Sequence, residues 1–253
     1  MRQRLWWVAL GVGAYLAFTL ASFPAATAYR WFAPRELALA GVEGTLWSGR
    51  AAAGAVANVA VQDIRWTLRP WMLLLGRVAA EGEARLADGF VSTHVTATPS
   101  RLELADLRAS TSLTTLSRAL PISGARGLAN LSLDRLVLEN GRPSAVAGKL
   151  RVQQLEVVPF ISMGRQAQLL PLGDYDVALG DDRNGKLVAT IKDAGGPLEV
   201  GGTVTFDAAR KYVIDALIKP RDGANADLVQ GLNAMTPEPD TAGRRHLQLE
   251  GSL

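Results

Sequence analysis

The sequence predicts a mainly β protein: one long, curved antiparallel sheet with a few short helices, preceded by one N-terminal transmembrane helix. Three observations support this prediction. Apolar and polar residues alternate along most of the chain, which is typical of half-buried strands. Turn-forming pairs such as Asn140-Gly141 separate the alternating segments. An uncharged run from Leu5 to Phe23 opens the chain, and its length suits a helix across a bilayer.

Composition limits the classes of function. The chain has 253 residues and no cysteine, so a disulfide framework, thiol catalysis and thiolate metal sites are all excluded. The 27 Lys and Arg residues barely outnumber the 24 Asp and Glu residues, and the basic residues are scattered singly without interleaved aromatics. The sequence therefore does not support nucleic-acid binding.

Residues 1–32 are interpreted as a cytoplasmic stub followed by an uncleaved signal-anchor. Arg2 and Arg4 precede the uncharged run, so the N-terminus is predicted to stay in the cytoplasm and the rest of the chain to lie on the far side. A cleaved signal peptide is the alternative, because Ala26-Thr27-Ala28 is an acceptable cleavage site. The residues assigned to the membrane anchor are Leu5, Trp6, Trp7 and Phe23.

Residues 33–253 are predicted to form one β-rich domain. The segment from Gly41 to Gly49 has closely spaced glycines around Leu46 and Trp47, which indicates the start of a twisted or bulged strand. Val61 to Leu68 then alternates, which places Ile64, Trp66 and Leu68 on one face. Pro70 ends that strand and begins a short apolar turn, or a single helical turn, that reaches Leu75.

A three-stranded meander is predicted next, followed by a short amphipathic helix from Thr111 to Leu120. The meander strands are Arg77 to Leu86, Phe90 to Thr98 and Arg101 to Leu107. Later strands are predicted at Leu128 to Leu138, Ala145 to Val157, Tyr175 to Leu179, Lys186 to Ile191, Leu198 to Phe206, Tyr212 to Lys219 and His246 to Leu253. Asn140-Gly141, Asn184-Gly185 and Gly195-Gly196-Pro197 are predicted turns, and Ala224 to Met235 a second short helix.

The two halves of the domain share a pattern that indicates an internal duplication, with repeats at residues 41–121 and 124–236. Leu68 to Gly76 and Val157 to Gly164 each read strand, proline, aromatic residue, apolar turn and glycine. The alternative is chance, since β meanders with turn prolines resemble one another.

No catalytic, cofactor-binding or metal-binding site is predicted, and we expect the protein not to be an enzyme. His94 and His246 lie in alternating strands without an acidic or histidine cluster near them in sequence, which is typical of solvent-facing histidines. Asp181-Asp182 and Asp193 precede Gly-containing turns and are read as turn formers. Trp66 and Trp71 could stack on a ligand, but core packing is favoured, because strand aromatics mostly fill cores.

Three motifs carry a family resemblance: Gly44-Thr45-Leu46-Trp47-Ser48-Gly49, Trp66-Thr67-Leu68-Arg69-Pro70 and Asp193-Ala194-Gly195-Gly196-Pro197-Leu198. Together with the N-terminal run they span nearly the entire chain, and in this order they resemble the type II secretion system protein N family. The resemblance implies an inner-membrane protein of a Gram-negative bacterium, with its β-rich domain in the periplasm. It implies an accessory role, without catalysis, in the export of folded proteins across the outer membrane.

Eight motif residues are expected to be structurally critical: Gly44, Trp47, Gly49, Trp66, Pro70, Gly195, Gly196 and Pro197. Gly49 in particular is expected to need a backbone conformation that only glycine adopts.

Two functions are compared. In the first, the anchored sheet offers edge strands to other secretion components, such as the secretin, inner-membrane platform or pseudopilus proteins. In the second, one apolar face of the sheet binds or transfers lipid, as in AsmA-like or lipopolysaccharide-export proteins, whose plan is similar. A sheet face fully covered by protein would exclude the lipid-binding function.

Overall fold

A single antiparallel sheet forms the body of the protein. The computed structural model describes residues 2–32, 37–56, 59–117, 124–158, 169–182, 186–207, 211–236 and 238–252. Across these ranges thirteen strands pair, each with its neighbours in sequence. They are β1 Leu37–Gly44, β2 Ser48–Val56, β3 Val59–Leu68, β4 Val78–Leu86, β5 Gly89–Ala97, β6 Arg101–Ser112, β7 Ala125–Glu139, β8 Arg142–Val157, β9 Leu170–Asp181, β10 Leu187–Gly195, β11 Leu198–Phe206, β12 Lys211–Pro220 and β13 Arg245–Ser252. The mainly β fold and the meander are confirmed.

Several predicted turns close hairpins where the sequence placed them. Asn140 and Gly141 have φ of 51° and 75°, the left-handed values that a two-residue hairpin turn between β7 and β8 requires. Gly196 and Pro197 join β10 to β11. Asn184 and Gly185 lie outside the described residues, as does most of Val157 to Gly164.

The segment from Gly41 to Gly49 corrects one prediction. It is the closed end of the β1–β2 hairpin, not the start of a single twisted strand. Gly44 pairs with Gly49 across that hairpin, and Thr45 N–H donates to the Ser48 carbonyl oxygen at 2.9 Å. The glycines therefore serve a reversal of chain direction, so two strands, β1 and β2, lie ahead of the predicted strand at Val61.

A bulge in β3 changes which side chains share a face. The pairing of β3 with β4 shifts between Gln62 and Arg65, and Asp63 has a left-handed φ of 48°. An extra residue at a bulge reverses the alternation that follows. As a result Val61 and Ile64, three residues apart, lie on the same side of the sheet.

Two helices begin the chain: α1 Arg2–Ala21 and α2 Ala25–Phe32. No helix among the described residues combines the length and the apolar character needed to cross a membrane. A bridge between Pro24 and Thr45 joins the α1–α2 connection to the β1–β2 turn. Because neighbouring strands are antiparallel, the carboxyl ends of all odd-numbered strands lie at this end of the sheet, which we call the proximal end; the opposite end is the distal end.

Three more helical segments lie between strands. A 3₁₀ helix, Pro70–Leu75, follows β3 as predicted, and α4 Ala226–Met235 agrees with the second predicted helix. The predicted helix from Thr111 to Leu120 is wrong at its start, since β6 continues to Ser112 and α3 spans Leu113–Leu116. Residues 118–120 of that prediction lie outside the described residues. Ser112 explains the boundary, because its hydroxyl accepts a hydrogen bond from Thr115 N–H at 3.1 Å and caps the helix.

The sheet is one layer thick. The chain has 17190 Å² of accessible surface, whereas a compact monomer of this mass has about 10,800 Å². Within the described residues, α2 packs on β1 and α3 packs on β6 and β7, whereas no residue of the 3₁₀ helix is buried. The small elements therefore cover only part of the sheet.

The two predicted repeats correspond to strands β1–β6 and β7–β12, and a helix follows each set of six. The two matched motif segments, however, follow strands of opposite direction, since Leu68 ends β3 and Val157 ends β8. Leu68 and Val157 therefore lie at opposite ends of the sheet. The duplication, like the domain division at residue 33, stays a prediction.

Candidate functional site

The β1–β2 turn attaches the N-terminal helices to the sheet. The indole N–H of Trp47 donates to the carbonyl oxygen of Leu20, in the last turn of α1, at 2.8 Å. The N–H of Leu46 donates to the carbonyl oxygen of Phe23 at 2.8 Å. The last carbonyl groups of a helix lack partners in its regular hydrogen-bond ladder. The Trp47 indole adds a donor to the Leu20 carbonyl oxygen, which also accepts from Phe23 N–H at 3.3 Å.

Gly44 and Gly49 are required at this turn for different reasons. Gly44 has φ of 91°, and a Cβ there would lie 2.6 Å from the Ser48 carbonyl oxygen. Gly49 is not among the residues with positive φ, so the expectation of a glycine-only conformation is wrong. Instead, a Cβ on Gly49 would lie 2.8 Å from Cε2 of the Trp66 ring. The Glu43 carbonyl oxygen would lie 2.8 Å from the same Cβ. The Trp66 ring and this carbonyl oxygen therefore occupy the space that a side chain would need.

An apolar groove of about 800 Å³ lies on the face of the sheet next to α2. It extends from Leu46 and Trp66, near the proximal end, to α3 at the distal end. Both β1 and β6 contribute to it, so the first six strands curve around a common space. Its lining includes Ala28, Tyr29, Leu39, Val42, Val61, Ile64, Trp66, Val91, Thr111 and Leu116. We call this space the groove.

The polar atoms of the groove lining are already hydrogen-bonded within the protein. The Trp66 indole N–H donates to the Leu46 carbonyl oxygen at 3.2 Å. The Tyr29 hydroxyl accepts from Leu39 N–H at 2.8 Å, and the Thr111 hydroxyl donates to Asp88 at 2.7 Å. The groove therefore presents hydrocarbon surface, and its volume lies within the range of small-molecule sites.

Asp88 organises the distal end of the groove. Its carboxylate accepts hydrogen bonds from the hydroxyls of Thr111 and Thr115 and from Ser112 N–H, at 2.7 to 3.3 Å. Burial by itself raises the pKa of Asp88, but the hydrogen bonds from Ser112, Thr111 and Thr115 outweigh burial and hold the pKa below its ordinary value. The β4–β5 turn is thereby joined to the start of α3.

The predicted glycine-proline turn, Gly195-Gly196-Pro197, is held by a residue that the sequence did not single out. Arg221 donates to both carboxylate oxygens of Asp193, at 3.0 and 2.6 Å, and to the Gly196 carbonyl oxygen at 2.8 Å. The Asp193 side chain is only 10% exposed. Asp193 therefore not only forms the turn but also binds the Arg221 guanidinium. Leu198, which follows the turn, is buried.

Trp66, which opens the second motif, and Trp71, which follows its last residue, have different environments. Trp66 is half-buried and lines the groove, so it is not part of a closed core. Trp71, in the 3₁₀ helix that Pro70 begins, is 53% exposed, so core packing is wrong for this residue. No residue of this helix is buried, so the exposure of Trp71 is a property of the whole helix.

The residues assigned to the anchor lie in or next to α1. Leu5, Trp6 and Trp7 belong to it, and both tryptophans are 67% exposed. Phe23 follows it and packs its ring against Trp31 of α2, with the ring centroids 5.9 Å apart.

Both histidines face a carboxylate across neighbouring strands. His94 Nε2 lies 3.7 Å from Glu81, and His246 Nε2 lies 2.8 Å from Asp215. All four side chains are more than 40% exposed. In the part of the chain that the structure describes, no three His, Cys, Asp or Glu side chains are grouped to hold a metal ion.

Three residues that hold these elements together were not predicted from the sequence: Tyr29, Asp88 and Arg221. Each acts on a partner at least ten residues away, so local alternation does not reveal it. The one local signal is the Asp88-Gly89 pair, because Asp-Gly pairs are typical of tight turns. That signal indicates a turn, but it does not show that Asp88 accepts hydrogen bonds from residues at the start of α3.

The comparisons with known proteins agree with one another. Residues 35–248 match the model of the family described as "Type II secretion system (T2SS), protein N". The chain is also 29% identical, across the full length of both chains, to a protein of Aeromonas hydrophila named "Type II secretion system protein N". No solved structure matches the chain.

Proposed function

The chain belongs to the type II secretion system protein N family, and from this membership we propose that it is a non-enzymatic, inner-membrane-anchored periplasmic component of that system. In this role it assists the export of folded proteins across the outer membrane. The observation that carries the proposal is the extent of the family match, which includes twelve strands in full and the start of β13. The match therefore covers nearly the whole sheet and not one shared motif.

The attachment to the inner membrane rests on the N-terminal segment. Its run from Leu5 to Phe23 carries no charge, and the large apolar side chains of α1 whose exposure is described are more than half exposed. Such a surface needs an apolar environment. Alkaline extraction of membranes and protease accessibility of an N-terminal tag test this. Release of the protein into the soluble fraction would contradict attachment. Digestion of the N-terminal tag by a protease that reaches only the periplasm would contradict the proposed orientation.

Partner binding is proposed at the outer edge of β13. The opposite edge strand, β1, already receives contacts from α2, including the hydrogen bond between Leu39 and Tyr29. Strand β13 pairs only with β12 among the described residues. An unpaired edge can accept a strand of another protein.

Photo-crosslinking in cells tests this binding mode. A photoreactive residue at Gln248, exposed on β13, is expected to give adducts with secretin, platform or pseudopilus proteins. The matched control is Lys149, which is also exposed but lies on β8 in the middle of the sheet, and no adduct is expected there. Adducts from Lys149 but not from Gln248 would contradict edge binding.

A second candidate function, binding of a lipid acyl chain, is supported by the groove. Its lining is hydrocarbon, and the polar side-chain atoms of the lining are hydrogen-bonded within the protein. An apolar chain could therefore enter the groove without leaving any of these polar atoms without a partner. One end of the groove lies at Leu46, whose N–H contacts the α1–α2 connection. Under the proposed anchoring, that end would be next to the bilayer.

Ala109 and Ala60 provide the test of lipid binding. Ala109 lines the groove, whereas Ala60 is exposed and lies between the lining residues Val59 and Val61 of β3. A photoreactive residue at Ala109 is expected to give lipid adducts, and the same residue at Ala60 is not. Protein adducts alone from Ala109 would contradict lipid binding, while leaving the role in secretion intact.

A further inference from the structure

The 3₁₀ helix Pro70–Leu75 carries an exposed apolar patch. Trp71, Leu73, Leu74 and Leu75 are 53%, 44%, 89% and 65% exposed, and we call these four residues the apolar tip. A helix that packs on a sheet buries at least one stripe of its side chains, but no residue of this helix is buried. Contiguous exposed apolar side chains of this size mark an interaction site.

The backbone around the apolar tip is held in a closed turn. Gly76 N–H donates to the Leu73 carbonyl oxygen at 3.0 Å, and Arg77 N–H to that of Met72 at 3.1 Å. Below the helix, Arg69 N–H donates to the Ala79 carbonyl oxygen at 2.9 Å. The tip is therefore presented in a fixed orientation by strands β3 and β4, which bracket it.

The apolar tip lies at the proximal end of the sheet, beside the end of α1. Leu68, the last residue of β3, donates its N–H to the carbonyl oxygen of Trp47 at 2.6 Å. The indole of the same Trp47 donates to Leu20 of α1 at 2.8 Å. One residue thus contacts both the strand that leads into the tip and the helix of the N-terminal segment. The end of α1 and the apolar tip are separated by about two strand spacings, or about 10 Å.

Basic residues flank the apolar tip on both sides. Arg69 precedes the helix and forms an ion pair with Glu81, and Arg77 follows it with an exposed side chain. Apolar side chains, a tryptophan and adjacent arginines are the composition of elements that enter the interface of an anionic bilayer.

We propose that the apolar tip inserts into the outer leaflet of the membrane to which the N-terminal segment attaches, and so forms a second membrane contact of the domain. This inference rests on the proposed membrane attachment. Two contacts about 10 Å apart would fix the proximal end of the sheet, including the nearby end of the groove, against the bilayer. A single helix would leave the domain free to rotate.

The test uses site-specific fluorescence, which the chain allows because it has no cysteine of its own. The full-length variant Leu74→Cys is labelled with an environment-sensitive dye and reconstituted into vesicles of phosphatidylethanolamine and phosphatidylglycerol. Two exposed control positions carry the same dye: Ser100→Cys, in a polar turn at the same end of the sheet, and Ala87→Cys, at the distal end.

The dye at Leu74→Cys is expected to be quenched by nitroxide-labelled lipids and protected several-fold from aqueous iodide relative to both controls. Equal access of iodide to Leu74→Cys and Ser100→Cys would overturn the proposal. Protection from iodide without quenching by the lipids would also overturn it, because the tip would then be buried against a protein or a second copy.

Failure of the membrane attachment itself has a separate signature. If the chain lacks a membrane contact altogether, none of the labelled variants will float with the vesicles. If the variants float but the dye at Leu74→Cys stays in water, the attachment stands and only the role of the apolar tip is refuted. Equal thermal unfolding midpoints of Leu74→Cys and the cysteine-free parent chain would show that the labelled variant keeps its fold.

Discussion

The indole N–H of Trp47 donates to the carbonyl oxygen of Leu20, 27 residues earlier in the chain, at 2.8 Å. This hydrogen bond connects the last turn of α1 to the β1–β2 turn. Its neighbour, from Leu46 N–H to the Phe23 carbonyl oxygen, joins the same two elements. The family motif that contains Trp47 therefore couples the N-terminal helices to the sheet.

Replacing Trp47 with Phe is expected to loosen this connection while keeping an aromatic ring. The lost hydrogen bond is worth about 0.5–1.5 kcal/mol. Hydrogen exchange at the Leu46 amide is the most direct measurement and should become faster in Trp47→Phe. Trp71→Phe, at an exposed tryptophan of the apolar tip, is the control and should leave this exchange unchanged. Equal exchange in Trp47→Phe and the parent chain would refute the coupling.

Gly49→Ala is expected to destabilise the domain by about 1–3 kcal/mol, because the added methyl group meets the Trp66 ring. Gly82→Ala is a matched control, since Gly82 pairs with Trp66 on its other side and a Cβ there meets nothing within 4 Å. Urea unfolding measures both variants. In the double variant Gly49→Ala, Trp66→Leu the contact with the ring is removed while the contact with the Glu43 carbonyl oxygen stays, so the cost of the methyl group should shrink but not vanish; an undiminished cost would show that the ring does not set it.

Arg221→Lys is expected to destabilise the second half of the sheet by about 1 kcal/mol, because lysine cannot reproduce the paired hydrogen bonds to Asp193 and the bond to Gly196. Arg50→Lys is the control: it also changes a paired arginine, but its partner Glu43 is exposed, and solvent screens such pairs. Thermal unfolding should separate the two variants. Equal midpoints would mean that Arg221 does not hold the turn.

Asp88→Asn is expected to reduce stability at neutral pH and to have little effect in acid. The pKa of Asp88 is lower in the folded state than its ordinary value of 3.8, so the ionised carboxylate stabilises the fold above that value. This contribution is lost as the pH falls through the folded-state pKa. The difference in urea midpoint between parent and variant should therefore be larger at pH 7 than at pH 3. A difference that is constant with pH would show that the charge of Asp88 does not matter.

Much of the sheet follows from the sequence alone. Alternation of apolar and polar residues is a local property of strands, and it located β11 at both of its ends, from Leu198 to Phe206. The Asn140-Gly141 turn, the 3₁₀ helix after Pro70 and helix α4 were likewise predicted, since turn and helix signals lie within a few residues of the structure they specify. The family resemblance also came from motifs that are readable in the sequence.

Only the tertiary structure decided how these elements combine into a site. The bulge at Asp63 reverses the alternation and brings Val61 and Ile64 to the same groove, which the plain period of two does not reveal. The need for glycine at position 49 comes from the Trp66 ring on one neighbouring strand and the Glu43 carbonyl oxygen on the other. The partner of Asp193 lies 28 residues away. Strand register and the packing of α2 and α3 set these contacts. They depend on which distant residues meet, whereas sequence patterns report only on neighbours along the chain.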